Sequence, residues 1–467
     1  MNVHPKTNDA YRLVHEGTLA LARAELQGMR VDVKYATRKK AELEKRITEL
    51  EATFKSTEFY RHWVHSIGNK KPNIHSNNQL ARFLYKVKKL EQTNDTASGR
   101  GGSTDEESLL QFNIPELTDL LQIRKLKKIK DTYLEAFVRE QVDGYMHPSF
   151  HLHFVATHRS SSSSPNFQNQ PKRDKEAMNI VRKALFPRPG HQLFAADFGA
   201  LEVRIAACYH KDPNMLRYIE DPTTDMHADM AKQIFLINNF DKKIPEHKIL
   251  RNAAKNGFVF PQFYGDYYKN CAQNLAYRWG ELPRKGTWKV RQGIALPDGN
   301  LGGHLINKGI TSLSAFTEHI KKIETHFWGV RFKDYAKWKE KHWNAYQNNG
   351  YIDMFTGFRC NGIMGKNACS NYPVQGAAFH CLLWSFNRMD EIIRKEGLQT
   401  RLIGQIHDEI IFDVYPPELE YIAKTVKRVT CVELPNAWKW IITQMEIEAD
   451  VADVDKPWAD MHKYELT

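Results

Sequence analysis

The stretch "GQIHDEIIFDV" (residues 404–414) sets His407, Asp408 and Glu409 between two apolar runs. Leu402 and Ile403 lead in, while Ile410, Ile411 and Phe412 lead out, a β-branched and aromatic composition that predicts strand on both sides. The triplet therefore falls at or near the tip of a hairpin. A polar turn accounts for it, since Asp is common in turns. Yet the tip has no Gly, Asn or Pro, and adjacent carboxylates repel unless a cation lies between them. From this stretch alone, a surface turn and a metal or catalytic site both stay open.

A second strand ends the same way. In "QLFAADFGALEVRIAACYH" (192–210) an apolar run reaches Asp197, a Phe-Gly step turns the chain, and Ala200 onward reads as helix. Asp197 would serve simply as a cap for that helix. Paired side by side in one sheet, however, the two strand ends would hold two divalent ions between Asp197 and Asp408, the arrangement of two-metal phosphoryl chemistry. Carboxylate oxygens suit Mg²⁺. A cationic helix follows in "KILRNAAKNGFVFPQFYG" (248–265), where Arg251 and Lys255 share one face. Alone they are a solvated pair; facing an acidic metal site they would neutralise a triphosphate.

The totals fit such a partner. Lys plus Arg number 67 against 55 Asp plus Glu, a net charge of +12 that favours polyanions. Hydrophobic residues make up 42% of 467, enough for a sizeable core. No apolar run approaches the roughly 18 residues of a spanning helix, and "MNVHPKTNDAYR" lacks a signal-peptide core. The six cysteines form no C-x-x-C pair and read as reduced thiols of a cytoplasmic protein with no membrane partner.

Along the chain, residues 10–60 read as helical, with Leu43, Ile47, Leu50 and Phe54 at helix spacing. The Gly/Ser/Thr-rich segment 93–108 reads as a loop, and its Asp105 and Glu107 as solvated. Another helix starts at Pro115; its Arg124, Lys125, Lys127, Lys128 and Lys130 either follow a phosphate backbone or form a solvated basic face. Short strands follow at "HLHFVAT" (151–157), "HQLFAAD" (191–197) and the 402–414 hairpin, with helical patterns over roughly 213–349. The plan is α+β.

"DFGALEVR", "RNAAK…FPQFYG" and "QIHDEIIFDV", in this order and at these separations, resemble the A, B and C motifs of family A DNA polymerases, the bacterial DNA polymerase I group. "GMRVDVKY" (28–35) resembles the start of that family's thumb, and "THRSSSSSPNFQNQPKR" (157–173) its primer–template minor-groove segment; "NIVRKALFPRPGHQLFAAD", "DMHADMAKQIF" and "NYPVQGAAFHCL" also fall in family order. The resemblance implies a right-hand polymerase fold with an antiparallel-sheet palm, helical fingers and helical thumb. It places the thumb at 1–150, the palm at 151–225 and 350–467, and the fingers at 226–349. It implies a monomeric, Mg²⁺-dependent DNA polymerase, with Mn²⁺ able to substitute, that adds dNTPs to a primer on template DNA in a bacterium or phage-infected cell.

Residue by residue, the resemblance makes Asp197 and Asp408 metal ligands, helped by the Phe198 carbonyl, with Glu409 organising the site near the primer end. Arg251, Lys255 and His227 would grip the triphosphate. Phe260 and Tyr264 would border the nascent base pair, and Glu202 would guard the sugar 2′ position. Arg159, Asn166, Gln168, Asn169, Asn371, Gln375 and His407 would contact primer–template, several of them at minor-groove edges common to all correct pairs.

Several features depart from the family pattern. Gly199-Ala200 stand where the family usually has Ser-Gln. One extra residue separates Lys255 from Tyr264; it would rotate the following helix by about 100°, which predicts a π-bulge or break near Gly257 and leaves Phe258 a rival to Phe260. The segment 277–310 looks inserted in the fingers, with six Lys/Arg, two Asp/Glu, Trp279 and Trp288. It reads either as an added nucleic-acid contact through charge and stacking or as a solvated loop. The thumb pattern begins almost at Met1, so no N-terminal proofreading exonuclease is expected. Single-subunit RNA polymerases have a related palm but lack the acidic residue at Glu202 and carry Ser where Glu409 stands. A catalytically inactive nucleic-acid-binding relative would have lost one of Asp197, Asp408, Arg251 or Lys255, and all four are present.

Overall fold

The computed structural model describes residues 7–68, 70–91, 102–110, 112–172, 174–276, 282, 286–297 and 299–466. Its N-terminal part is a helical arm, but 10–60 is not one continuous helix. Helices Thr7–Gln27 and Val33–Ser56 are separated by the strand Met29–Val31. Gly28 makes the break: its φ is +64°, and a Cβ there would meet the Met146 carbonyl and the His147 ring at 2.6 Å. Asp32 then caps the second helix by accepting from the Tyr35 amide, and Ala36, Leu43, Ile47 and Phe54 form its buried stripe. Helix Pro115–Lys128 packs across it and continues through a π-turn, Ile129–Leu134, into Glu135–Glu140.

The basic face of Pro115–Lys128 is largely committed within the protein. Lys125 pairs with Asp174 and Glu176, Lys127 with Asp131, and Lys130 with Glu44 and Asp131. Arg124 donates to the Thr104 carbonyl. Lys128 stays exposed. Of the loop expected at 93–108, residues 93–101 lie outside the described residues. Asp105 is exposed and accepts from the Ser108 amide at the start of the short helix Glu106–Leu110.

The central sheet has five antiparallel strands in the order Arg401–Ile406, Glu409–Val414, Gln192–Phe198, Ile447–Val451, His462–Tyr464. Its middle strands are covered on both faces, which explains their near-continuous apolar runs: Phe194, Ile411 and Phe412 are all fully buried. Helices Thr7–Gln27 and Lys366–Lys395 pack on it. "HLHFVAT" does not continue as strand. Only Ser149–His151 pairs, with Ser161–Ser163, and the chain then bends and leaves Phe154 exposed between the rings of His151 and His153. The serine run is an ordered element, with Ser162 buried.

Two apolar cores result. One joins residues from Leu13 to Tyr209 with those from Ile352 to Trp458; the other runs from Ala207 to Tyr335. Helix Leu201–His210 contributes to both, with Leu201 and Ile205 in the first and Ala207 in the second. The described part of 277–310 is more than a solvated loop. Leu282, Trp288, Leu301, Leu305 and Ile310 join the second core, and Trp288 packs against Phe316. His304 bonds the carbonyls of Phe235 and Leu236 at the end of helix Met226–Phe235. Trp279 lies outside the described residues. Among the described residues, no helix is long and apolar enough to cross a membrane.

Candidate active site

The hairpin closes as its sequence predicts. Strands Arg401–Ile406 and Glu409–Val414 leave His407 and Asp408 as the two-residue turn. His407 takes φ +53°, a left-handed conformation that Gly would adopt without cost. The neighbouring strand Gln192–Phe198 pairs with the hairpin so that Asp197 faces Glu409. The Phe198 amide donates to the Asp408 carbonyl at 3.0 Å. Both acidic strand ends therefore meet at one edge of the sheet.

Asp197 does not cap the following helix. Ala200 holds that position with φ +51° and gives no side-chain cap. Instead Arg204, buried beneath the turn, bonds the Gly199 and Gln444 carbonyls and the Glu446 carboxylate. Sequence reading assigned Arg204 no such role, and nothing in its spacing pointed to Glu446.

The carboxylates crowd one another. Burial and the nearby Asp197 push the Asp408 carboxyl up to about 6, against the pull of Arg159 and Lys172. Burial also raises Glu409, which is only 4% exposed. Lys172 Nζ lies 3.2 Å from Asp197 and 3.7 Å from Glu409. An ammonium thus stands where a cation is needed, and the hard oxygen donors suit a divalent ion. Among the described residues, no three His, Cys, Asp or Glu side chains form a closed metal cage. Asp197 and Asp408 could hold such an ion only in an open arrangement, one in which Mg²⁺ keeps water or other oxygen ligands.

Asp408 also lines a pocket of about 510 Å³, together with Glu202, His227, Arg251, Lys255, Phe260, Tyr264, Asn371 and Gln375. Its size is ordinary for a small-molecule site. Arg251 is oriented by Asp225, whose carboxylate accepts from Nε at 2.8 Å and also caps helix Met226–Phe235. Burial opposes the charge of Asp225, but the Arg251 hydrogen bond and the helix cap outweigh it and hold the carboxyl at about 2. Asp225 is a second residue that sequence reading passed over, although it stands two positions before His227. Burial, with Arg251 and Lys255 nearby, pushes His227 down to about 4. It is therefore neutral at pH 7, and its buried Nδ1 has no hydrogen-bond partner.

The extra residue after Lys255 is absorbed by a π-helical turn, Lys255–Val259. Phe260 then faces the pocket, with the Lys255 ammonium 5.1 Å from its ring and His227 edge-on at 5.7 Å. Phe258 is fully buried against Phe327. The Tyr264 hydroxyl donates to Glu202 at 2.6 Å, and Arg159 pairs with the same carboxylate. Glu202 does not pair with Arg204.

Asn371 reaches the Tyr264 carbonyl at 3.4 Å. Asn169 and His407 line a separate open cleft of about 2150 Å³ between the helical arm and the sheet. Asn166 and Gln168 lie outside both cavities; Asn166 accepts from the Gln168 amide, and the Gln168 side chain donates to Ser160.

The family model described as DNA polymerase family A matches residues 34–281 and 320–453. The chain belongs to DNA polymerase family A. The interval that the family A model leaves unmatched, 282–319, overlaps the segment singled out at 277–310. DNA polymerase I of Geobacillus stearothermophilus is 25% identical over 413 residues, spanning 88% of this chain and 42% of that protein. The thermostable DNA polymerase I of Thermus aquaticus is 26% identical over 424 residues, spanning 88% and 44%. The chain thus spans less than half the length of these curated relatives. A solved structure, the POL domain of Pol1 from M. smegmatis in complex with DNA primer-template and dNTP, shares the fold with a TM-score of 0.73 at 22% identity. That likeness covers 96% of this chain and 70% of the other.

Proposed function

We propose that this chain is a template-directed DNA polymerase that adds deoxynucleotides to a primer 3′ end. The observation that carries this reading is the meeting of Asp197 and Asp408 at adjacent strand ends, with Asp408 lining the pocket that also holds Arg251, Lys255 and His227. Asp197 and Asp408, with the Phe198 carbonyl, would hold two Mg²⁺ ions, for which Mn²⁺ would substitute. Bound there, the ions would supply charge stabilisation to the attacking and leaving oxygens.

The chain's own groups do the rest. Arg251, fixed at Nε by Asp225, presents its terminal nitrogens to the triphosphate, and neutral His227 adds a hydrogen bond. Lys255 brings positive charge to the leaving pyrophosphate as its negative charge grows. Phe260 and Tyr264 bound the new base pair, and Glu202 fills the space beside the sugar 2′ carbon. Primer–template DNA occupies the cleft beside His407 and Asn169, with Glu409 near the primer end and Arg159, Asn166, Gln168, Asn371 and Gln375 as further DNA contacts. In this reading the thumb is 1–150, the fingers 226–349, and the palm 151–225 with 350–467. The second core supports the fingers as a separate unit, whereas the thumb and palm share the first.

The test is primer extension in Mg²⁺ on DNA and RNA templates, with dNTPs compared with rNTPs. The reading expects dNTP addition on the DNA template and little rNTP addition. A folded protein that binds primer–template but extends nothing would contradict it.

A further inference from the structure

Lys172 follows Pro171 on the short link between the turn Phe167–Asn169 and helix Lys175–Arg182. This link is pinned at both ends. The Asn169 carbonyl accepts from the Tyr133 hydroxyl at 2.8 Å, and the Pro171 carbonyl from Arg182 Nε at 3.0 Å. Asp174 caps the helix through the Ala177 amide. The backbone just before Lys172 is therefore held, whereas the Lys172 side chain is long and 54% exposed. From this base its ammonium reaches Asp197 at 3.2 Å and Glu409 at 3.7 Å. Among the described residues, two other cations near these carboxylates are engaged elsewhere. Arg159 pairs with Glu202, and Arg182 lies over the Trp458 ring. Among the described residues, Lys172 is the cation that forms ion pairs with Asp197 and Glu409.

We propose that Lys172 is a built-in counter-ion of the metal-free site, which holds Asp197 and Glu409 together before loading and must leave when a divalent ion binds. An ammonium and a divalent ion cannot both occupy the space beside Asp197, so Lys172 competes with the metal and sets the concentration at which the site fills. Its side chain also borders the large cleft, so the displaced ammonium has solvent and polyanion to move into. This inference rests on the reading of Asp197 as a metal ligand.

The experiment measures Mn²⁺ binding to the full chain without DNA, reading free Mn²⁺ by electron paramagnetic resonance at constant ionic strength. The proteins are wild type, Lys172→Met, Lys172→Arg and Asp197→Asn. Because Lys172 is largely exposed, the competing pair has the strength of a surface ion pair, so Lys172→Met should bind Mn²⁺ about two- to fivefold more tightly. Lys172→Arg should stay near wild type, because it keeps the charge. Asp197→Asn should weaken binding. If Asp197→Asn weakens binding while Lys172→Met leaves it unchanged or weaker, the counter-ion proposal is overturned and the metal site stands. If Asp197→Asn has no effect, the metal assignment itself fails.

Discussion

Glu409 and Asp197 stand directly opposite on neighbouring antiparallel strands, the terminal pair of their register. Directly opposed residues point to the same face, and like charges in that position repel. The fold accepts this arrangement with Lys172 between the two carboxylates. Asp408 sits one residue earlier, in the turn, where its carbonyl anchors the Phe198 amide. A sheet built only for stability would gain by replacing any one of these acids.

Glu202→Ala should admit ribonucleotides. The carboxylate is held in the pocket by Arg159 and Tyr264 rather than turned to Arg204, so its removal would open space beside the sugar in the proposed nucleotide position. The ratio of rNTP to dNTP incorporation, measured by kcat/KM, should rise at least about tenfold, or about 1.4 kcal/mol of discrimination. An unchanged ratio would mean that Glu202 is only a partner for Arg159.

Phe260→Tyr should raise ddNTP incorporation relative to dNTP at least about tenfold, because a phenolic hydroxyl can replace the hydrogen bond of a missing 3′-hydroxyl. Phe258→Tyr should instead lower stability. Its ring is fully buried against Phe327, and an unpartnered hydroxyl there costs about 1–3 kcal/mol. Competition assays and thermal unfolding separate the two. Relaxation by Phe258→Tyr alone would reverse the assignment.

Much of this site was legible because its parts are short-range patterns. Apolar runs ending in Asp197 and Asp408 predict strand ends, and the extra residue after Lys255 predicts the π-turn that turns Phe260 outward. Pairings set by distant residues were not legible. Lys172, Asp225 and Arg204 find their partners only once separate segments meet. The same holds for the basic stretch 124–130, left open between a phosphate contact and a solvated face: Lys125 and Lys130 pair with Glu176 and Glu44, far away in sequence. The strand expected at 151–157 failed because alternation alone supplies no partner beyond His151.

Trp288→Ala should destabilise the core that helix Pro245–Ala254 shares. The indole is 3% exposed and packs on Phe316, so truncation should cost about 3–5 kcal/mol. Denaturant unfolding followed by fluorescence checks this. A loss below about 0.5 kcal/mol would restore the view of 277–310 as a solvated loop.

Acid should loosen the arm from helix Lys175–Arg182. Burial raises the Glu176 carboxyl, but donors from Lys125, Gln122 and Arg46 outweigh it and hold it at about 2. A depressed carboxyl stabilises fully above its ordinary 4.5, and the contribution is lost as pH falls from there towards 2. Glu176→Gln should cost about 1 kcal/mol at pH 7, as expected for largely exposed pairs. Thermal unfolding of both proteins at pH 7 and pH 3 should show that gap narrowing with acid; a gap that widens would contradict the linkage.

The most direct test of the account is single-turnover extension of an annealed primer–template in Mg²⁺ by wild type and Asp408→Ala, with primer–template affinity measured alongside. Binding comes mainly from phosphate contacts spread over the cleft, so affinity should stay within about threefold. Extension should fall at least about a thousandfold, roughly 4 kcal/mol of transition-state stabilisation. Extension by Asp408→Ala at the wild-type rate would contradict the assignment of this sheet edge as the catalytic centre.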